Sequence, residues 1–248
     1  MEERLFKTII CETKAELGFH AGKSATFYLK KAIEENGQAN LVMATGTAQY
    51  DTLEYLINQK DIDWSKVVMF HLDEYIGIGS DHPASFVKFL TDRFLHHIPK
   101  LRKTHLIDGL EDINKEINYL NQEIHKYTID LALIGIGENG HLAFNDPPAD
   151  YEIQDPYIKV ELDRECRMQQ VNEGWYEDIS KVPSQAISMS IRHIMKAKAI
   201  VASVPEQRKA IPVYNTLYKP IDPMYPSTVL RLHPHCEVYL DRASASLI

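Results

Sequence analysis

The chain is short of basic charge: 27 Lys and Arg stand against 35 Asp and Glu, a formal net charge of −8. That balance offers no overall attraction for nucleic acid or an anionic membrane, so an anionic ligand would need a local cluster of donors. Cysteine is scarce as well. Cys11, Cys166 and Cys236 are scattered with no pair at CxxC spacing, which predicts reduced thiols in a cytoplasmic protein. No apolar run approaches the length of a membrane span, and the opening MEERLFKTII lacks the long apolar core of a signal peptide. Internal repeats, low-complexity tracts and linkers are missing too. What remains is an ordinary globular balance of 248 residues, 44% hydrophobic and 25% charged. Residues 1–248 are therefore expected to form a single domain with a sizeable core.

The most informative stretch is Leu131 to Pro148, LALIGIGENGHLAFNDPP. Its apolar run, Leu131 to Ile136, has the length and composition of a buried strand. The strand breaks at Gly137 and delivers Asn139, His141 and Asp146 before Pro147 and Pro148 end regular structure. In an open α/β sheet, ligands bind outside the carboxyl ends of strands. On its own, however, Gly-x-Gly with one histidine also describes a tight turn with a solvated side chain.

Elsewhere, strand and helix signals alternate. Residues 13–36 read as a helix stopped at Asn36-Gly37, and Leu41 to Ala44 as a short strand. Thr45-Gly46-Thr47 then leads into Tyr50, Leu53, Leu56 and Ile57 at helical spacing. Such a turn points N–H groups and hydroxyls at an anion, or simply caps a helix. Val67 to Leu72 is a strand ending in Asp73-Glu74-Tyr75, whose carboxylates fit either a solvated loop or an acid–base site. A helix is predicted from about His82 to His97, a strand over Thr104 to Ile107 and an amphipathic helix over 111–127. The pattern loosens through Tyr151 to Leu162 and the polar stretch Arg164 to Ile179. Ala186 to Ile191, Ala199 to Val204 and Cys236 to Leu240 read as strands; Pro205 to about Tyr218 and Ser227 to Leu232 read as helices. The repeated order predicts a doubly wound, mostly parallel sheet.

Taken together, ATGTAQ (44–49), FHLDEYIG (70–77), GIGENGHLAFNDP (135–147) and the lysine of VPEQRKA (204–210) resemble one family. It is the glucosamine-6-phosphate deaminase/isomerase family, related to galactosamine-6-phosphate isomerases and 6-phosphogluconolactonases. VPSQAISM (182–189) and STVLRLHP (227–234) fall in fitting places, so the resemblance covers nearly the whole chain. It implies a modified Rossmann-like fold and conversion of an amino-sugar 6-phosphate to a ketose 6-phosphate and ammonia, with no redox cofactor. By motif match, Asp73 is the expected C2 base and His141 the ring-opening group, with Asp146 and Asn139 around the histidine. Thr45, Gly46, Thr47, Glu74, Gly137 and Lys209 are the expected substrate and phosphate contacts. The implied partner is a small sugar phosphate; homo-oligomerisation stays open.

The chain also departs from the pattern it resembles. Asn139 replaces an aspartate, leaving the histidine a hydrogen-bond partner without charge, and an aspartate at that position is expected to be tolerated. Asp146 is one methylene shorter than the usual glutamate, and the turn reads TGTAQ rather than TGGTP or TGATP. Counting back from Pro183 to the usual place of a phosphate-binding arginine reaches Glu173, with Arg164 and Arg167 nearest. Asn-Gly-His and Gln169-Gln170 lean toward galactosamine-type isomerases. A lactonase, or a sugar-phosphate-binding protein without turnover, are the competing readings. A metal site at His233-Pro234-His235-Cys236 is discounted, since alternate residues on a proline-containing loop lack further ligands.

Overall fold

The computed structural model describes residues 5–248. Its first half runs β1 (Leu5–Cys11), α1 (Lys14–Asn36), β2 (Ala39–Met43), α2 (Tyr50–Ile57), β3 (Val67–His71), β4 (Asp73–Tyr75), α3 (Phe86–Arg93), β5 (Lys103–His105) and α4 (Ile113–Ile124). The second half adds β6 (Leu131–Ile134), β7 (Tyr157–Glu161), α5 (Arg164–Asn172), β8 (Gln185–Met189), α6 (Ile191–Ile194), β9 (Ala199–Val204), α7 (Ala210–Tyr218) and β10 (His235–Asp241). A seven-stranded sheet has the order β1-β10-β9-β6-β2-β3-β5, and every neighbouring pair in it is parallel.

The apolar strands are buried on both faces, which explains their unbroken hydrophobic runs. Leu41, Met43, Val67, Met69, Leu131 and Leu133 pack with Leu17, Ala21 and Leu29 of α1 and Leu53 and Leu56 of α2. The alternate residues Val42, Val68, Phe70, Ala132 and Ile134 pack on the other face with Leu120 and Ile124 of α4 and Val213 of α7. This alternation is the strand period of two. Each fully buried Leu or Ile contributes about 1.5–3 kcal/mol relative to exposure. Thr13 caps the start of α1, its side chain accepting from Glu16 N–H, and Gly37 closes the end at φ 74°.

Four features differ from the sequence pattern. Asp73–Tyr75 is not a loop but a strand, pairing antiparallel with β8 in a second, three-stranded sheet, β4-β8-β7. The Ala186–Ile191 run therefore leaves the parallel sheet, which an apolar pattern cannot foretell. The helix expected from His82 starts at Phe86, where the Ser85 side chain accepts from Lys88 N–H. The polar stretch from Arg164 holds a helix, α5, capped by Asp163. Pro226–Leu232 is a 3₁₀ helix rather than an α-helix.

Candidate active site

The sheet order reverses between β2 and β6, and crevices at such switch points are where open α/β sheets bind ligands. Four adjacent strands, β9, β6, β2 and β3, end at this crevice. They deliver, respectively, the 205–209 segment, the Gly135–His141 loop, the Thr45–Thr47 turn and Asp73. One cavity is lined by Thr45, Gly46, Thr47, Asp73, Gly137, His141 and Lys209. Far-separated segments meet there because parallel strands carry their carboxyl ends to one edge.

The His141 loop is tightly built. Gly137 N–H donates to His141 O at 2.9 Å, and Asn139 Oδ1 accepts from His141 N–H at 3.0 Å. A Cβ at position 137 would lie 2.3 Å from Cε1 and Nε2 of the His141 ring. Glycine is thus what lets the ring lie against the backbone. His141 Nδ1 and Asp146 Oδ1 are 3.1 Å apart, an ion-pair distance, although no well-aligned hydrogen bond closes between them. Asn139 does not contact the ring as a hydrogen-bond partner. Its Nδ2 donates instead to Asp146 Oδ1 at 2.9 Å and Asp163 Oδ2 at 3.1 Å. Asp163 N–H donates to Asp146 Oδ2 at 3.0 Å. Burial pushes the Asp146 carboxyl upward, but His141, Asn139 and the Asp163 N–H together hold it below the usual carboxylate range.

Asp73 is 6% exposed and pushed up to about 8, by burial first and then by the charge of Glu74. Both carboxylates are buried, so the solvated-loop option falls. Glu74 also leaves the set of substrate contacts, because successive strand residues point to opposite faces. Its carboxylate accepts from Tyr75 N–H (2.9 Å), Ser85 Oγ (2.7 Å) and Val87 N–H (2.8 Å), fastening the start of α3. It borders a separate hollow with Val87, Ile107 and Leu110.

At the other end of the cavity stands the turn after β2. Gly46 adopts φ 93°, a left-handed conformation that favours glycine. A 3₁₀ turn, Thr47–Gln49, follows, and the first N–H groups of such a turn have no partner within it. Lys209 is 4% exposed, not the surface lysine of an ordinary helix, and burial above all pulls it down to about 8. Arg208, Trp175 and Phe144, which the sequence did not single out, also line the cavity, as do Glu173, reached there only by counting back from Pro183, and Gln170 of the Gln169-Gln170 pair. Arg208 was detectable as the neighbour of Lys209, and Phe144 as part of the GIGENGHLAFNDP stretch; Trp175 carried no such signal.

Other groups fall outside this arrangement. Cys166 Sγ joins His141 and Asp146 in a cluster whose ligand atoms lie within 4.8 Å of one another. Burial pushes its thiol well up, against the thiolate that metal binding requires. Both ring nitrogens of His233 meet backbone groups, Nε2 against Ala197 O at 2.8 Å and Nδ1 against His235 N–H at 3.1 Å. They are not poised as metal ligands. Among the described residues, no helix is long and apolar enough to cross a membrane.

The family of glucosamine-6-phosphate isomerases and 6-phosphogluconolactonases matches residues 12–238. The chain belongs to this family. Within the glucosamine-6-phosphate isomerase/6-phosphogluconolactonase family, it is 35% identical over 232 residues to a glucosamine-6-phosphate deaminase of Thermoanaerobacter pseudethanolicus, covering 91% of this chain and 90% of that one. A glucosamine-6-phosphate deaminase of Oenococcus oeni is 32% identical over 229 residues, 92% of this chain and 94% of its own. The fold matches that of a monomeric glucosamine-6-phosphate deaminase with TM-score 0.89 at 30% identity, over 98% of this chain and 100% of that one. A 6-phosphogluconolactonase of Thermotoga maritima shares the fold with TM-score 0.74 at 18% identity, over 95% and 99% of the two chains.

Proposed function

We propose that this family member is a glucosamine-6-phosphate deaminase, converting the amino-sugar phosphate and water to fructose 6-phosphate and ammonia. The observation that carries the reading is the sharing of one cavity by Asp73, His141 and Lys209. A base, a ring-opening group and a cation for phosphate thus face a common space. The deaminase names of relatives at 30–35% identity support the same activity.

In this reading the phosphate lies against Lys209 and the Thr45–Thr47 turn, which orients the sugar. His141 moves a proton between O1 and the ring oxygen O5 and so opens the pyranose. Asp73 removes the proton from C2, generating an enolamine, and returns a proton to C1. The resulting imine at C2 takes up water and loses ammonia, leaving the ketone. A base of raised pKa suits the task, since a strong acceptor is needed for a carbon acid. A cationic amine on C2 favours the ionised carboxylate as substrate arrives. Each positioned acid–base group is typically worth ~10²–10⁴ in rate.

Gln170 is 5% exposed and lines the cavity, where its amide can meet a sugar hydroxyl. Gln169, by contrast, is committed, accepting from Glu138 N–H at 3.0 Å and donating to Glu173 at 2.8 Å. The test is to incubate the protein separately with glucosamine, galactosamine and gluconolactone 6-phosphates. Ammonia and ketose phosphate from the glucosamine substrate support the proposal. Acid from the lactone alone, or ligand binding without turnover of any of the three, overturns it.

A further inference from the structure

One guanidinium joins the phosphate end of the cavity to α5. Arg208 Nη2 donates to Thr47 Oγ1 at 2.9 Å, fixing the arginine against the turn after β2. Its Nη1 donates to Glu173 Oε1 at 2.7 Å and Glu138 Oε1 at 3.1 Å, and its Nε donates to Glu206 Oε2 at 2.8 Å. Glu206 in turn pairs with Lys14 at 2.6 Å. Lys14, Arg208 and Lys209 thus face Glu138, Glu173 and Glu206, three positive groups against three negative. The wall that would receive a dianion is close to neutral.

Glu173 stands apart from the other two acids. Its side chain is only 7% exposed, against 30% for Glu138 and 34% for Glu206, and it lines the cavity beside Lys209. It does not depend on Arg208 alone for hydrogen bonds. Oε1 also accepts from Gln169 Nε2 at 2.8 Å, and Oε2 from Trp175 Nε1 at 3.2 Å. A carboxylate so held can release a guanidinium and stay hydrogen-bonded.

We propose that Glu173 is a specificity-determining counter-ion, occupying on Arg208 the place that the sugar's phosphate takes. Phosphate then binds by exchange: Arg208 turns from carboxylate to phosphate, and Glu173 keeps Gln169 and Trp175. The inference rests on the phosphate reading of Lys209 and the Thr45–Thr47 turn. Planar guanidinium suits both anions, since carboxylate and phosphate offer it the same paired oxygens. Exchange makes the affinity for phosphate lower than a turn and two free cations would give. It also discriminates, because an uncharged sugar end cannot compete with Glu173 for Arg208.

The experiment is calorimetric titration of inorganic phosphate into the wild type and the Glu173→Gln, Arg208→Met, Lys209→Met and Glu173→Gln/Arg208→Met variants. Trp175 fluorescence follows the same titration. Removing the competing charge should tighten phosphate binding roughly tenfold in Glu173→Gln, a gain that damage to the fold would not produce. Arg208→Met should weaken it, and the double variant should lose the gain. Unchanged or weaker binding by Glu173→Gln overturns the inference, as does a double variant that keeps the gain. If Lys209→Met weakens binding while Glu173→Gln is inert, this inference alone falls. If the wild type binds no phosphate, the phosphate reading falls and this falls with it. Should Arg208→Met not fold, Glu173→Gln by itself decides.

Discussion

Asp146 Oδ1 lies 3.1 Å from Nδ1 of His141 and 2.9 Å from Nδ2 of Asn139, so one carboxylate oxygen joins the histidine to the asparagine. The asparagine acts on the ring only through that oxygen and through the His141 backbone. Catalytic hydrogen bonds often tighten on substrate binding, so this 3.1 Å histidine–carboxylate contact is the one expected to close. Asp146→Asn should therefore cost more than Asn139→Ala, about 10² in kcat for the former and less for the latter. Steady-state rates on the substrate the wild type turns over would decide it. The reverse ranking would mean that Asn139 positions the loop and Asp146 matters little.

Asn139→Asp carries the opposite expectation from that drawn on the pattern alone. Asn139 Nδ2 donates to both Asp146 and Asp163, so an aspartate would place three carboxylates together and remove the donor they share. Like charges at such distances repel. The variant should lose thermal stability at neutral pH and recover part of it on acidification. A melting temperature equal to wild type across pH 5–8 would contradict this.

Asp73 sets a pH dependence in two measurements. With its carboxyl pushed up to about 8 by burial, the free protein's kcat/KM should rise with pH as the group loses its proton. Asp73→Asn should lower turnover by about 10² or more and stop exchange of the C2 hydrogen with solvent. The stability effect has the opposite sign. Because the folded pKa exceeds the unfolded one, the stability held below pH ~3.9 is lost as pH rises toward about 8. Asp73→Asn should then melt above the wild type at pH 8, with the gap narrowing at pH 5. A constant gap would exclude a buried, raised carboxyl.

Lys209 should act on phosphate and little else. Lys209→Met is expected to raise KM far more for a 6-phosphorylated sugar than for its unphosphorylated analogue. Equal losses on both would assign the lysine to the fold.

Gly137→Ala tests the ring's seat. With the new Cβ 2.3 Å from Cε1 and Nε2, the His141 ring must move, and kcat should fall nearly as far as in His141→Ala. Retained activity would show that the ring's present position is not the working one.

What was legible in the chain follows from local physics. Apolar runs such as Val67–His71 and Leu131–Ile134 announce strands buried on both faces, and Asn36-Gly37 stops α1 where a left-handed residue is needed. The motifs named Asp73, His141 and Lys209, and all three line the cavity. Other assignments were not local. Arg164–Asn172 has too little apolar content to show a period, since its inward residues include Gln169 and Gln170. The pairing of Asp73–Tyr75 with Gln185–Met189 spans over a hundred residues, and it is that pairing which turns Glu74 away from Asp73.

The sequence by itself determined that the chain is an α/β protein, roughly where the strands of its parallel sheet end, and which side chains those ends carry. Hydrophobic period and turn chemistry are properties of neighbours, so they are written along the chain. The order of strands, by contrast, decided that β2 and β6 lie side by side and that their loops share one cavity. Only packing placed Glu173, from the end of α5, against Arg208, from the turn before α7. Counting along the chain reached Glu173 as a position, but a pair formed by charge, burial and reach is not written in either segment, because each residue alone reads as an exposed surface charge.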